Sequence, residues 1–211
     1  MSPDQPTSEQ LRAALAAAVP DLRWLDDAVL QVATGQDANG EPVEVWRLLS
    51  AAGRHCGRGT ALSLPGWTAE DAARVLILAR LPLRGEALTR QVEGLYQWGD
   101  AAEKRAVLLA LPMLPLDGSA VALLHDAVRT NDTRLIAAAL GPYSGHLSPD
   151  AWRQAVLKCV FAGVPLAQVF RLEERADAEL IDMLAGLARE RAAAGRSMPA
   201  DAVSLLTRWE R

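Results

Sequence analysis

From Gly99 onward the chain repeats one pattern. A short stretch with apolar residues at helical spacing follows a capping residue, and the next stretch begins almost at once. Asp100 to Leu111, Gly118 to Thr130 and Asp132 to Leu140 read as successive amphipathic helices, capped by Asp100, by Asp117 or Ser119, and by Asn131 or Asp132. Ser148-Pro149-Asp150 is the strongest start signal in the chain: a cap, Pro at the first helical position where no amide proton is needed, and an acid in the first turn. The helix it opens is expected to run to Ala162 and stop at Gly163, with Ala151, Trp152, Ala155, Val156, Cys159 and Val160 on its apolar face. Helices this short and this tightly joined fold back on one another, and few architectures other than stacked helical pairs accommodate them.

The rest of the chain fits the same plan. Thr7-Ser8 starts a helix with Leu11, Leu15 and Val19 in line. Pro20-Asp21 ends it and caps the next, whose stripe is Leu22, Leu25, Val29 and Val32. Gly35 to Gly40 is a loop, Pro42 to His55 is helical, and Thr68 caps a helix that turns Ala72, Val75, Leu76 and Ala79 inward. Pro82 is expected to open a helix reaching Trp98. Asp177 to Ala194 forms a longer helix, and Pro199 starts the last one. Half the residues are apolar but only 5% are aromatic, and Val/Ile runs of period two are scarce, so a helical core is favoured over a sheet. The expected fold is all-α, with about eleven short helices forming one domain over residues 1 to 211. An irregular α-α superhelix of HEAT type and a helical bundle both satisfy the pattern, because no fixed period with recurring residues is present.

Charge and cysteine usage exclude some classes. A net charge of −4, with two lysines (Lys104 and Lys158) among 22 basic residues, argues against a nucleic-acid partner. The first eleven residues carry acids and no basic group, so they do not read as a signal peptide, and no apolar run approaches the length of a membrane span. Cys56 and Cys159 do not suggest a disulfide framework, and a reducing compartment is expected.

No motif announces a reaction. His55, His125 and His146 lack metal-ligand spacing, and there is no nucleophile elbow or phosphate-loop signature. His125 and Arg129 share a helix face at i, i+4. The glycine-rich stretch Gly53 to Gly66 is either a mobile loop or a binding loop. Arg54 and Arg58 there suit an anion, and His55 beside Cys56 suits a reactive thiol, although a half-buried thiol is the simpler account. Lys158 sits at the margin of an apolar helix face, where it can snorkel to water or meet an acidic ligand. Arg129, Asn131 and Tyr143 lie at junctions from which they can converge with it, and these four are the candidate ligand-binding residues. No catalytic residue, metal or cofactor is assigned. The six tryptophans are spread along the chain and are expected to anchor helix packing.

Six segments, in order, carry a family resemblance. They are Val128-Arg-Thr-Asn131, Ala139-Leu-Gly-Pro-Tyr143, Trp152-Arg-Gln-Ala-Val-Leu-Lys158, Gly163-Val-Pro-Leu166, Leu172-Glu-Glu-Arg-Ala176 and Ala188-Arg-Glu-Arg-Ala-Ala-Ala-Gly-Arg196. Together they resemble the EboA family over residues 95 to 208, with residues 1 to 94 less distinctive. Gly141 stands where the family has Asn before Pro-Tyr, and Ala192 stands where an aromatic residue is usual. The resemblance implies a cytoplasmic helical accessory protein, peripheral at the inner membrane at most, for traffic or export of a secondary-metabolite precursor such as that of a cyanobacterial sunscreen pigment. It implies partners encoded in the same gene cluster, among them a prenyltransferase-like membrane protein, and a small-molecule metabolite. Binding or scaffolding without catalysis is the expected mode. An enzyme using Lys158 or the His55-Cys56 pair is the alternative.

Overall fold

The computed structural model describes residues 5–209. Met1–Asp4, where the leader reading began, and Glu210–Arg211 lie outside the described residues. The described residues hold twelve α-helices, three single 3-10 turns and no strand; the extended pairing is limited to isolated bridges, Gln36 with Pro42 and Ala61 with Thr68. The all-α expectation therefore holds, with one helix more than the sequence suggested. None of these helices is long and apolar enough to cross a membrane. The chain divides into two compact units, with the division falling at Leu123–Leu124.

The first unit holds α1 (Ser8–Ala18), α2 (Arg23–Thr34), α3 (Val45–Cys56), α4 (Ala69–Leu78), α5 (Gly85–Trp98) and α6 (Ala101–Ala110). The capping signals act as expected. Thr7 and Asp100 each form a complete capping box, with Gln10 and Glu103 respectively, and Thr68 accepts from the Asp71 amide. Two starts differ from expectation. Asp21 accepts from the Arg23 amide from just outside α2, whose own cap, Leu22, has no side-chain acceptor. Leu81 to Arg84 run outside any helix, so α5 begins three residues after Pro82, at Gly85.

Helix α4 is the centre of this unit, in contact with α1, α2, α3 and α6. Its residues Ala69 and Asp71 to Leu78 are all buried, so it has no solvent face, and two charged residues are enclosed with the apolar ones. The Arg74 side chain is 4% exposed. Its Nε donates to the Leu49 carbonyl of α3 at 2.9 Å and its Nη1 to Glu70 at 3.0 Å. Asp71 accepts from Arg105 of α6 and from the Thr68 hydroxyl, and Arg105 also donates to the Gly66 carbonyl at 2.7 Å. Buried charges persist only when their hydrogen-bonding capacity is filled, and here the partners come from the elements to be joined. The glycine-rich stretch is drawn into the same network. Its first part, through Cys56, completes α3. The Gly59 amide then donates to Glu70 at 3.1 Å instead of remaining open to an anion. A Cβ at Gly53 would lie 2.9 Å from both Glu70 Oε2 and Arg58 Cγ, so a larger residue there would have to displace these side chains.

The second unit continues from within α7 (Val121–Arg129) through α8 (Thr133–Ala139), α9 (Pro149–Ala162), α10 (Leu172–Arg175), α11 (Ala178–Ala193) and α12 (Ala200–Trp209). Ser148 caps α9, Gly163 ends it at φ 78°, and Trp152, Ala155, Val156, Cys159 and Val160 are buried as its spacing predicts. Helix α10 lies within a stretch of mixed charge, Arg171 to Glu179. It forms because Leu172 finds a buried site and Arg175 lies over the Trp152 ring, 4.4 Å from its centroid, while donating to the Ser144 carbonyl at 2.9 Å. Asp177 caps α11 through the Leu180 amide at 3.0 Å and accepts from Arg153 of α9 at 2.6 Å.

Two predictions follow from these buried and bridging charges. Arg74→Ala removes the partner of Glu70 inside the unit and should cost about 3–5 kcal/mol, read as a lower urea midpoint; a cost under about 1 kcal/mol would mean the pair is effectively solvated. The Arg153 hydrogen bond holds the Asp177 carboxyl below its ordinary value. A carboxyl whose pKa is lowered by folding stabilises the fold above its unfolded value, and that contribution disappears as pH falls through the folded value. Asp177→Asn should therefore be less stable than wild type at neutral pH and show a shallower loss on acidification, measured by thermal melts across the acid range.

Candidate ligand-binding cleft

A concave feature with a mainly apolar lining lies in the first unit, between α3, α5 and α6. It is a cleft of 650 Å³. Helix α3 turns Val45, Leu49, Ala52, Gly53 and Cys56 inward, which leaves Trp46 and Ser50, one turn apart, on its flank. Helix α5 buries Leu88, Val92, Leu95 and Tyr96 and presents Arg90, Gln91, Gly94 and Trp98 to the cleft. The Trp46 residue is 55% exposed and Trp98 84%. Large apolar surface left in water at a concave site marks a place where something binds.

The floor is low because Gly94 contributes no side chain. A Cβ built there meets nothing within 4 Å, so packing does not require the glycine. Gly99 is different: a Cβ would fall 2.8 Å from the Leu95 carbonyl oxygen and 3.0 Å from Glu103 Cβ, and its absence lets the end of α5 close onto the start of α6. That approach carries Glu103 to the cleft wall. One carboxylate oxygen accepts from the Asp100 amide at 2.9 Å, completing the α6 cap. The other accepts from the Ser50 hydroxyl at 2.5 Å, with the Trp46 carbonyl 3.0 Å from the same hydroxyl. Arg90 donates to Glu86 at 2.6 Å. The site combines indole surface with a few fixed polar groups, a combination suited to holding and orienting a small molecule.

The four residues selected from the sequence lie in the second unit and do not all meet. Lys158 Nζ donates to Asn131 Oδ1 at 3.2 Å, so α9 and the α7–α8 junction are joined through that pair. Arg129 pairs with Asp126 at 3.1 Å and lines a groove of 270 Å³ with His125, Val128, Leu147, Gln154 and neighbouring apolar residues. His125 and Arg129 thus share a face as their spacing requires. Tyr143 is 5% exposed within the Pro142–His146 turn, its ring 4.7 Å from that of His146. Asn131 and Lys158 are brought together, Arg129 belongs to the groove, and Tyr143 belongs to the core.

The thiols are likewise interior. Cys56 and Cys159 are free and buried, and burial raises their pKa to about 11 and about 12. His55 stacks on Trp24, ring centroids 4.4 Å apart. Among the described residues no group of three or more His, Cys, Asp or Glu side chains could hold a metal ion. Of the tryptophans, Trp67 and Trp152 anchor packing as expected, whereas Trp46, Trp98 and Trp209 are exposed. A signal for two of these was present in the chain. Trp46 falls outside the Val45–Leu49–Ala52 face, and Trp98, the last residue of α5, falls outside its Leu88–Val92–Leu95 face.

No curated protein and no solved structure matches the chain. The family model described as metabolite traffic protein EboA matches residues 58–207. The match begins well before residue 95, where the resemblance in the sequence begins, and it takes in Arg90, Gly94, Trp98 and Glu103 of the cleft but not Trp46 or Ser50. The chain belongs to the EboA family.

Proposed function

We propose that this protein binds a secondary-metabolite precursor in the α3–α5–α6 cleft and takes part in its traffic or export without transforming it. The observation that carries this reading is the cleft itself: 650 Å³, flanked by two exposed tryptophans, over a glycine that packing does not demand. Its volume falls in the range of small-molecule sites, about 300–1,000 Å³. The family description as a metabolite traffic protein supports the same role. A catalytic role for Cys56 is disfavoured by a thiol pKa raised to about 11, since the thiolate is the nucleophile. Lys158 already donates to Asn131. We further propose that the protein works in the cytoplasm or at the inner face of the membrane, with other proteins of its gene cluster, including the prenyltransferase-like membrane protein, and that Arg129, Asn131 and Lys158 contribute a polar contact surface on the second unit.

The test fills the cleft without disturbing the fold. Gly94 is helical with open space above it, so Gly94→Leu should keep or slightly raise stability, by up to about 1 kcal/mol from helix propensity, while occupying the floor. In cells that export the metabolite, this variant should retain the precursor inside, at unchanged protein level. Unimpaired export with Gly94→Leu would rule out the cleft as the working site.

A further inference from the structure

Resting on the cleft reading, we infer that the ligand class is an aryl-alkyl amine, protonated at neutral pH, its aromatic ring on the Trp46 and Trp98 indoles and its ammonium at Glu103. The cleft's polar groups are asymmetric in charge. Arg90, the one cation among its lining residues, is engaged by Glu86 at 2.6 Å. Glu103 has no cationic partner among the described residues; its oxygens accept only from the Ser50 hydroxyl and the Asp100 amide. A carboxylate offers about four lone-pair sites, so about two remain for a donor from a ligand. Both bonds it already makes fix its position at the wall, and an incoming ammonium meets an acceptor that need not reorganise.

The indoles reinforce this selection. A π face carries negative potential and attracts cations, tryptophan most strongly. The chain demonstrates this beside the cleft: Arg47, which does not line it, lies over the Trp46 ring, 5.3 Å from its centroid, and pairs at the same time with Glu44 at 2.5 Å. A neutral aromatic ring gains only the stacking. An aromatic acid brings a negative charge towards Glu103 and two π faces, and all three disfavour it. Charge sign therefore discriminates among molecules of equal shape, which an apolar slot alone does poorly.

A titration of the full chain with 2-phenylethylamine and with 3-phenylpropionate, followed by tryptophan emission, separates the possibilities. The amine should bind about tenfold more tightly than the acid, the order expected of one charge-assisted contact. Glu103→Gln preserves the capping-box chemistry and should reduce that ratio to near one without abolishing amine binding. Trp98→Ala should weaken both probes. Equal or tighter binding of the acid, or a preference unchanged by Glu103→Gln, would overturn the amine assignment while leaving the cleft as a binding site. Failure of both probes to bind, or equal binding to Gly94→Leu, would overturn both the assignment and the cleft reading beneath it.

Discussion

Arg74 is the residue on which the first unit most depends. It sits in a helix with no solvent face, and its guanidinium reaches α3 through the Leu49 carbonyl while holding Glu70 on its own helix. Glu70 in turn receives the Gly59 amide, and the next residue of the same helix, Asp71, receives Arg105 from α6. A guanidinium with planar, directional donors defines angles as well as distances, which apolar contacts do not. The apolar residues around α4 supply the driving force for burial. The charged pairs select which helices meet and in what register.

The cleft is a consequence of that register. Helices α3 and α6 both pack on α4, and α5 packs on α6, so Trp46, Ser50 and Glu103 face a common space with the α5 residues. Close approach at Gly99 and open space at Gly94 act in opposite directions on the same wall. The first brings Glu103 in, and the second keeps the floor clear. The Ser50–Glu103 hydrogen bond, 53 residues apart in sequence, holds the polar end of the site. Nothing in this geometry needs the second unit, whose own features are a Lys158–Asn131 pair and a shallow groove beside Arg129.

Much of the local structure is legible in the chain because it is set by nearest neighbours. Thr7, Thr68, Asp100, Ser148 and Asp177 announce their helices through capping, and Gly35 and Gly163 end theirs with positive φ. The apolar spacing of α9 predicts its buried face except at Ala151, which is only half-buried. Sequence reasoning assigns the tryptophans to packing because indole burial is the usual outcome, and that holds for Trp67 and Trp152. Trp46 and Trp98 lie off the buried faces of α3 and α5, and among the described residues no helix encloses them, an outcome that their spacing allows but distant neighbours decide. Tyr143 shows the reverse: a residue beside a Gly-Pro turn looks available, yet its ring is enclosed in the core.

Sequence alone determines the helical class, most of the caps and the family, since each depends on short-range propensity or on residues in fixed order. It does not determine that Arg74 and Asp71 are interior, because an i, i+4 Glu70–Arg74 pair has the same spacing on a wet face as in a core. It does not place Ser50 against Glu103 or leave Gly94 under open space. Those outcomes are decided by which helices surround α4, and so by burial and long-range hydrogen bonding that no local pattern encodes.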